Sequence, residues 1–474
     1  MKQIFNPYLP FNEYVPDAEP HIFNYQGEDR VFIYGSHERF NSPDFCILDH
    51  VTYSAPVTDL KEWRYEGVIY KRNDDPHNGK NGRSPLYAPD CIQGPDGKYY
   101  LYTFCAYHNE IAVSVCDTPC GHFKHIGYVH HEDGKHLGRK KGDGFAFDPG
   151  VYVEGNDVWL YTGFGPEHYP LTRGLQSKEG CTCCHLKPDM MTIIGEPKII
   201  AKVKRAAKGT EWEAHPFFEA ASMRKINGKY YFMYSSAAGH ELCYAIADKP
   251  DGEFHFGGVL VSIGDVGLGE HKDVKTASNY TGNTHGSILQ IGDKYYVFYH
   301  RQTNKHCFSR QACAEEIKIE ADGSIKQVEV TSQGLNGGPL LGEGAYPCYI
   351  ACNLMSPKGG RFMSPFKFGC AGHPYFPQDK DGKGHRIADF GNGCKAGFKY
   401  FDFKKENVSL SLKMKSKGEG LVKVLDENGV IGEMKVEKGM ELAKTELKMV
   451  PGVHPIYLVF EGKGKLDLYE MCFE

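Results

Sequence analysis

KYYFMYSS at residues 229–236 is one of five similar aromatic segments, and its reading decides the fold. The others are RVFIYGS (30–36), KYYLYTF (98–104), DVWLYTG (157–163) and KYYVFYHR (294–301). Short runs of aromatic and β-branched residues bounded by turn residues predict strands. Their closing tyrosines, Tyr34, Tyr102, Tyr161, Tyr234 and Tyr299, stand 68, 59, 73 and 65 residues apart. A strand-based repeat of this period predicts an all-β propeller, and five copies predict five blades. Before each aromatic strand an ionisable residue opens a shorter segment: Asp17, Asp90, Asp148, Glu219 and His285. In a propeller these openings converge on one axis.

Working outward, apolar–polar patterns at 56–70, 118–130, 187–200 and 249–261 predict the outermost strands. The fifth outer strand is expected within 315–330, where alternation and a D-G turn read as a hairpin. The crossovers near 71–89, 131–147, 201–218 and 262–284 enter beside the ionisable residues and are expected to rim the mouth of the site. Residues 1–333 thus read as a five-bladed catalytic domain. TSQGLNGGPLLGEGAYP (331–347) marks a seam. Beyond it, short alternating segments such as VSLSLKMK and HPIYLVFEG predict a β-sandwich over 334–474.

Composition narrows the function. The 474 residues carry 55 basic and 60 acidic side chains, a net charge of −5, with no basic footprint for nucleic acid or anionic membrane. No run of 18 apolar residues predicts a membrane span. Sixteen cysteines, with no signal-peptide pattern in MKQIFNPYLPFNEYVPDAEP, predict reduced thiols and a cytoplasmic protein. The tight CTCCH cluster at 181–185 lacks common zinc spacing and reads as strand packing.

An Asp beside Pro at a strand start, as at Asp17 and Asp148, is by itself an ordinary turn former. Register changes that reading. Three carboxylates at matching places in three repeats crowd one another, and crowding raises at least one pKa. A proton donor is thereby separated from an ionised base, the division of labour that glycosidic hydrolysis requires. A sugar-binding propeller would share the repeats without needing those acids.

The segments NPYLPFNEYVPDAEPHIF, LYAPD, FDPGVYVEGNDVWLY, FFEAASMRKINGKYYFMYSS and NTHGSILQIGDKYYVFYHR together resemble glycoside hydrolase family 43. The resemblance implies that Asp17 is the general base, Glu219 the general acid and Asp148 the residue that raises the acid's pKa. It implies an inverting, exo-acting α-L-arabinofuranosidase on arabinoxylan- or arabinan-derived oligosaccharides, with β-xylosidase or dual activity as the near alternative and endo-arabinanase as the more distant one. The Asn-Asp-Pro-Asn-Gly motif of invertase-like relatives is absent. By the same resemblance His285 lies beneath the sugar, touching substrate and ligating a cation, Ca²⁺, with no organic cofactor. Tyr87 stands where the family usually has Trp, as a smaller stacking platform. Asp90 is expected to support the site or bind a sugar hydroxyl, and Arg310 to reach the pocket. The C-terminal part is similar to carbohydrate-binding module family 6, although all three tryptophans (Trp63, Trp159, Trp212) lie before residue 334.

Overall fold

The computed structural model describes residues 2–167, 177–361, 363, 372–379 and 384–474. Among these residues the structure is all-β, and the only α-helix is the four-residue Lys204–Ala207. The chain first builds four meanders of four antiparallel strands. They are β1 (Glu19–Tyr25), β2 (Glu28–Tyr34), β3 (His50–Pro56) and β4 (Arg64–Tyr70); then β5 (Leu86–Gln93), β6 (Tyr99–Cys105), β7 (Ile111–Cys116) and β8 (Lys124–Tyr128). The third comprises β9 (Gly150–Glu154), β10 (Asp157–Thr162), β11 (Gly180–Leu186) and β12 (Lys198–Lys202), and the fourth β13 (Phe217–Ile226), β14 (Lys229–Ser236), β15 (Glu241–Ala247) and β16 (His255–Ser262). A fifth sheet has three strands, β17 (Ser287–Ile291), β18 (Lys294–Gln302) and β19 (Arg310–Ile317).

The aromatic segments are the second strand of each sheet. Every residue of β6 is buried, because both faces meet apolar neighbours. Phe32 and Tyr34 of the first sheet share a core cluster with Leu101 of the second. Tyr102 packs with Leu160 of the third, and Tyr161 with Phe232 of the fourth. Met233 packs with Val297 of the fifth, and Phe298 returns to Val31 and Ile33 of the first. Successive sheets therefore stack face to face and the last meets the first. The repeated Tyr also sews this order together. The hydroxyls of Tyr34, Tyr102 and Tyr161 donate to the carbonyls of Pro119, Met190 and Pro250, each on the outer side of the following sheet.

The expected fifth outer strand does not form within 315–330. Residues 319–325 do make the hairpin turn around Gly323, but Val328 then pairs with Val261 of the fourth sheet. The free edge of β19 is taken instead by the chain's beginning. Tyr8 N–H donates to Ala312 O at 3.2 Å, and Ala314 N–H donates to Asn6 Oδ1 at 3.0 Å. Pro7 and Pro10 lack the donors a regular ladder needs, so side-chain hydrogen bonds replace it.

The remaining strands form two sheets. β20 (Leu340–Leu341), β24 (Lys395–Phe403), β29 (Gly452–Lys463), β26 (Glu419–Leu425) and β27 (Val430–Val436) neighbour one another in that order, with β22 (Asn353–Met355) also on β24. β21 (Gly344–Pro347), β30 (Lys465–Phe473), β25 (Asn407–Ser416) and β28 (Leu442–Lys448) form the other, with β23 (Ile387–Gly391) also on β30. Phe398, Phe401, Leu458 and Phe460 of one share a core with Leu410, Leu412, Leu466 and Met471 of the other. The Gly-rich seam is tightly held. Ser332 N–H donates to Lys399 O at 2.6 Å, and the buried Lys399 ammonium lies 3.2 Å from Asp265.

Asn6 Nδ2 also reaches Ala314 O at 2.9 Å and Glu315 Oε1 at 3.0 Å. Asn6→Ala strands these buried groups and is expected to lower stability by about 2–3 kcal/mol. Urea denaturation checks this, and a loss too small to measure would mean that the N-terminal segment does not hold the β19 edge.

Candidate active site

The five innermost strands, β1, β5, β9, β13 and β17, bring their ionisable residues together where the backbone leaves regular pleat. Asp17 and Asp148 each stand two residues before a strand, at φ 60° and 47°. Such left-handed conformations are costly for non-glycine residues and persist where the surroundings hold them. Glu219 lies in β13 between two register shifts, followed by Ala220 at φ 67°. That irregularity turns the Ala220 N–H onto Asp148 Oδ2 at 3.2 Å, coupling the third sheet to the fourth. Gly150 allows the approach, since a Cβ there would stand 2.2 Å from Ala221 O.

Asp17 is held by charge. Arg310, at the start of β19, donates from Nη1 to Asp17 Oδ1 at 2.8 Å. Its Nε and Nη2 donate to Glu38 Oε1 at 3.0 and 2.8 Å, and its backbone N–H to Glu38 Oε2. The Asp17 backbone N–H donates to His300 Nδ1 at 3.1 Å. Burial and the Arg310 charge depress the His300 pKa to about 3, so this ring is neutral and its Nε2–H donates to Asn283 O. Burial alone would raise the Asp17 carboxyl, but Arg310, with His300 and His285 beside it, brings it down to about 2.

Glu219 has the opposite surroundings. Among the described residues no cationic side chain lies within ion-pair distance of it, although it too is buried. Burial, then the charges of Asp148 and Asp17, push its pKa up to about 8. Asp148 is raised to about 7 by burial and Asp17, against the pull of His285. The two acids titrate as a linked pair. His285 sits among the carboxylates, with Nδ1 4.0 Å from Asp17 and 3.8 Å from Asp148, and Nε2 3.4 Å from Glu19. Burial would lower its pKa, but Glu19, Asp148 and Asp17 raise it to about 9. At neutral pH the arrangement offers an ionised carboxylate, a protonated carboxyl and an imidazolium about one centre.

The candidates divide into two layers. Asp17, Asp148, Glu219, His285 and Arg310 form one. Asp90 lies in the other: it pairs with Tyr102, as Glu19 pairs with Tyr34, so its register counterpart is Glu19. It is fully buried, with its oxygens taken by His21, Cys91 N–H and Val151 N–H. Glu19 accepts from Arg224 and Ser222 at 2.9 Å, and Ser222 meets Ser287. This lower layer therefore ties all five inner strands together. Tyr87 is half-buried, with its ring 5.7 Å from Phe147 and 6.2 Å from Phe104. Arg310 is buried under Asp17 and not at the surface. Glu19, Arg224, Glu38 and His300 are the contributors sequence reasoning passed over. Glu19 alone left a signal, as a second acid two residues after Asp17 at the head of the same inner strand.

The region after residue 334 touches this site. Gln378 Nε2 donates to the Tyr14 hydroxyl at 2.6 Å, and Tyr14 O accepts the Glu38 N–H at 2.8 Å. A line of contacts thus runs from Gln378 through Glu38 and Arg310 to Asp17. CTCCH falls on β11, where Cys181, Cys183 and Cys184 are buried in apolar clusters. No disulfide joins the described cysteines.

Comparison with known proteins places this geometry. The family model of glycosyl hydrolases family 43 matches residues 18–325, a segment that begins directly after Asp17 and contains the other members of both layers. A xylosidase/arabinosidase of Thermoclostridium stercorarium is 44% identical over 99% of both chains. An arabinoxylan arabinofuranohydrolase of Paenibacillus polymyxa is 26% identical over 98% of this chain and 73% of its own. Among solved structures, a family 43 arabinoxylan arabinofuranohydrolase of Bacillus subtilis, in complex with cellotetraose, covers 99% of this chain and 97% of its own, with a TM-score of 0.50 at 19% identity. A family 43 β-xylosidase/α-arabinofuranosidase from a compost metagenome, in complex with xylotriose and in calcium-free form, covers 68% of this chain and 96% of its own, with a TM-score of 0.50 at 25% identity. The chain belongs to glycosyl hydrolases family 43 and is a glycoside hydrolase.

Proposed function

We propose that the enzyme is an inverting exo-glycosidase that removes non-reducing α-L-arabinofuranosyl groups from arabinoxylan- or arabinan-derived oligosaccharides. The observation that carries this reading is the split between Asp17, held ionised by Arg310, and Glu219, left without a cation and held protonated. Asp17 is the base: it takes a proton from water as the oxygen attacks the anomeric carbon. Glu219 is the acid: it gives its proton to the leaving glycosidic oxygen as that bond breaks. Asp148, through its charge and its hold on Ala220 N–H, keeps the acid's pKa high and its strand in place. A single displacement of this kind inverts the anomeric carbon and needs base and acid carboxyls roughly 6.5–9.5 Å apart. Similarity along nearly the whole of this chain to a xylosidase/arabinosidase and to an arabinoxylan arabinofuranohydrolase supports this substrate class, and the former favours β-xyloside cleavage as the second reading.

The five stacked sheets are read as blades of a five-bladed propeller spanning 1–333. The two sheets after residue 334 are read as a β-sandwich resembling carbohydrate-binding module family 6, which buttresses the site through Gln378. Tyr87 supplies the stacking platform at the mouth, and the free thiols support a cytoplasmic location. The residues also fit a Ca²⁺ ion with water in its remaining positions. Glu19 Oε1 and His285 Nε2 are buried, 3.4 Å apart, and lack hydrogen-bond partners. Bound there, the ion would supply the positive charge that the His285 proton otherwise provides.

Chromogenic arabinofuranoside and xylopyranoside substrates test the activity. Asp17→Asn and Glu219→Gln are each expected to lower kcat roughly 10²–10⁴-fold, and wild-type turnover of neither substrate would overturn the assignment. NMR of the first-formed sugar is expected to show the inverted anomer. The base must be ionised, so activity is lost as pH falls through the Asp17 pKa near 2. The acid must be protonated, so activity is lost as pH rises through the Glu219 pKa near 8. Between pH 5 and 7, kcat/KM is therefore expected to be level, with about a tenfold fall per pH unit on the alkaline side. Chelation is expected to lower activity and Ca²⁺ to restore it; a His285→Ala variant that responds equally would remove the ion from this place.

A further inference from the structure

A second group of ionisable side chains lies on the second sheet, away from the axial layers. His77 belongs to the crossover between β4 and β5, and His108 and Glu110 to the turn between β6 and β7. One ligand atom from each lies within 4.8 Å of the other two. His77 Nε2 stands 2.5 Å from Glu110 Oε2, yet both atoms are buried without a hydrogen-bond partner, so the contact lacks the direction a shared proton requires. The His77 and His108 rings are stacked at 3.9 Å and 12°, an arrangement that two imidazolium charges would oppose.

Glu110 is aimed from behind. Its Oε1 accepts from His136 Nδ1 at 2.8 Å and Arg139 Nε at 3.1 Å, leaving Oε2 directed at His77. The ring of Tyr128 packs 4.9 Å from both His77 and His136, and its hydroxyl is likewise buried and unpartnered. Asp75 Oδ2 is a further buried oxygen without a partner. Buried polar atoms of this kind are costly to leave unsatisfied. A cation with several coordination positions would satisfy several at once. Two imidazole nitrogens and a carboxylate oxygen are the donors of Zn²⁺ and its neighbours, whereas Ca²⁺ and Mg²⁺ favour donor sets made mostly of oxygen. The hydrogen bonds to Glu110 Oε1 are the supporting contacts that orient a ligating carboxylate.

We propose that His77, His108 and Glu110 bind one divalent transition-metal ion of the Zn²⁺ type. The ion ties the crossover entering β5 to the β6–β7 turn and, through His136 and Arg139, to the crossover leading toward Asp148. Those segments meet at the end of the sheet where β5 begins and Tyr87 stands. The site is thus a staple on the rim of the mouth, separate from the axial histidine.

The test uses the untagged full chain, stripped with chelator and returned to buffer containing Ca²⁺, so that the axial position is not in question. Calorimetric titration with Zn²⁺ is expected to give one equivalent bound, and Co²⁺ to give the visible absorption of a low-coordinate nitrogen–oxygen site. His77→Ala and His108→Ala, made separately, are expected to weaken binding by roughly 10–100-fold or more and to lose the Zn²⁺-dependent rise in Tm. Their melting curves without Zn²⁺ show whether each has folded, and Asp17→Asn is expected to bind Zn²⁺ as wild type does. Absence of a stoichiometric wild-type site, or wild-type affinity in both folded histidine variants, overturns the proposal.

Discussion

The structure depends on how negative charge is compensated where five strands meet. Asp17, Glu19, Asp148 and Glu219 are all buried there, facing Arg224, His285 and Arg310. Taking carboxylates out of water is expensive unless each has a partner. Geometry decides which acids receive one. Arg310 is fixed between Glu38 and Asp17, Arg224 is fixed on Glu19, and His285 leans on Glu19, Asp17 and Asp148. Glu219 receives none, so it keeps its proton. The same distribution of charge that lets the sheets close therefore sets a protonated carboxyl apart from an ionised one.

The supporting layer explains why this distribution is rigid. Hydrogen bonds to Asp90 from His21 and the Val151 N–H, and from Ser222 to Glu19 and Ser287, link all five inner strands beneath Asp17, Asp148 and Glu219. Apolar stacking of the aromatic second strands surrounds that layer, and their tyrosine hydroxyls bond across to the neighbouring sheet. Packing supplies most of the adhesion. The polar bonds set registration, which is what places Asp17 and Glu219 about one centre.

Much of this was legible in the residues. Period-two aromatic runs announce the second strands, and the acids beside prolines announce where inner strands begin. Asp90 shows where reading stops. Aligned by spacing it joins Asp17, but a register shift between Tyr87 and Asp90 puts it level with Glu19. Bulges have no reliable one-dimensional signature. The β19 edge was illegible for another reason. Its partner is Asn6–Tyr8, some 300 residues away, and no local pattern encodes so distant a pairing. The two carboxylates that fix Arg310 had no local signal, because only the fold brings Glu38 and Asp17 to it. The line from Gln378 through Tyr14 to Glu38 is likewise a product of tertiary packing, and it gives the C-terminal region a physical hold on Asp17.

The central claim is that Glu219 carries a proton at neutral pH because it is buried beside Asp148 and Asp17 with no cation within ion-pair distance. Carbon-13 NMR of protein labelled at the glutamate side-chain carboxyls measures this directly. Burial raises Glu315 to about 8 as well, so the account predicts two glutamate signals titrating near pH 8, of which Glu219→Gln removes one and leaves the other. If the signal lost in Glu219→Gln instead titrates in the ordinary range near pH 4–5, Glu219 is ionised at neutral pH and the proposed separation of acid from base is wrong.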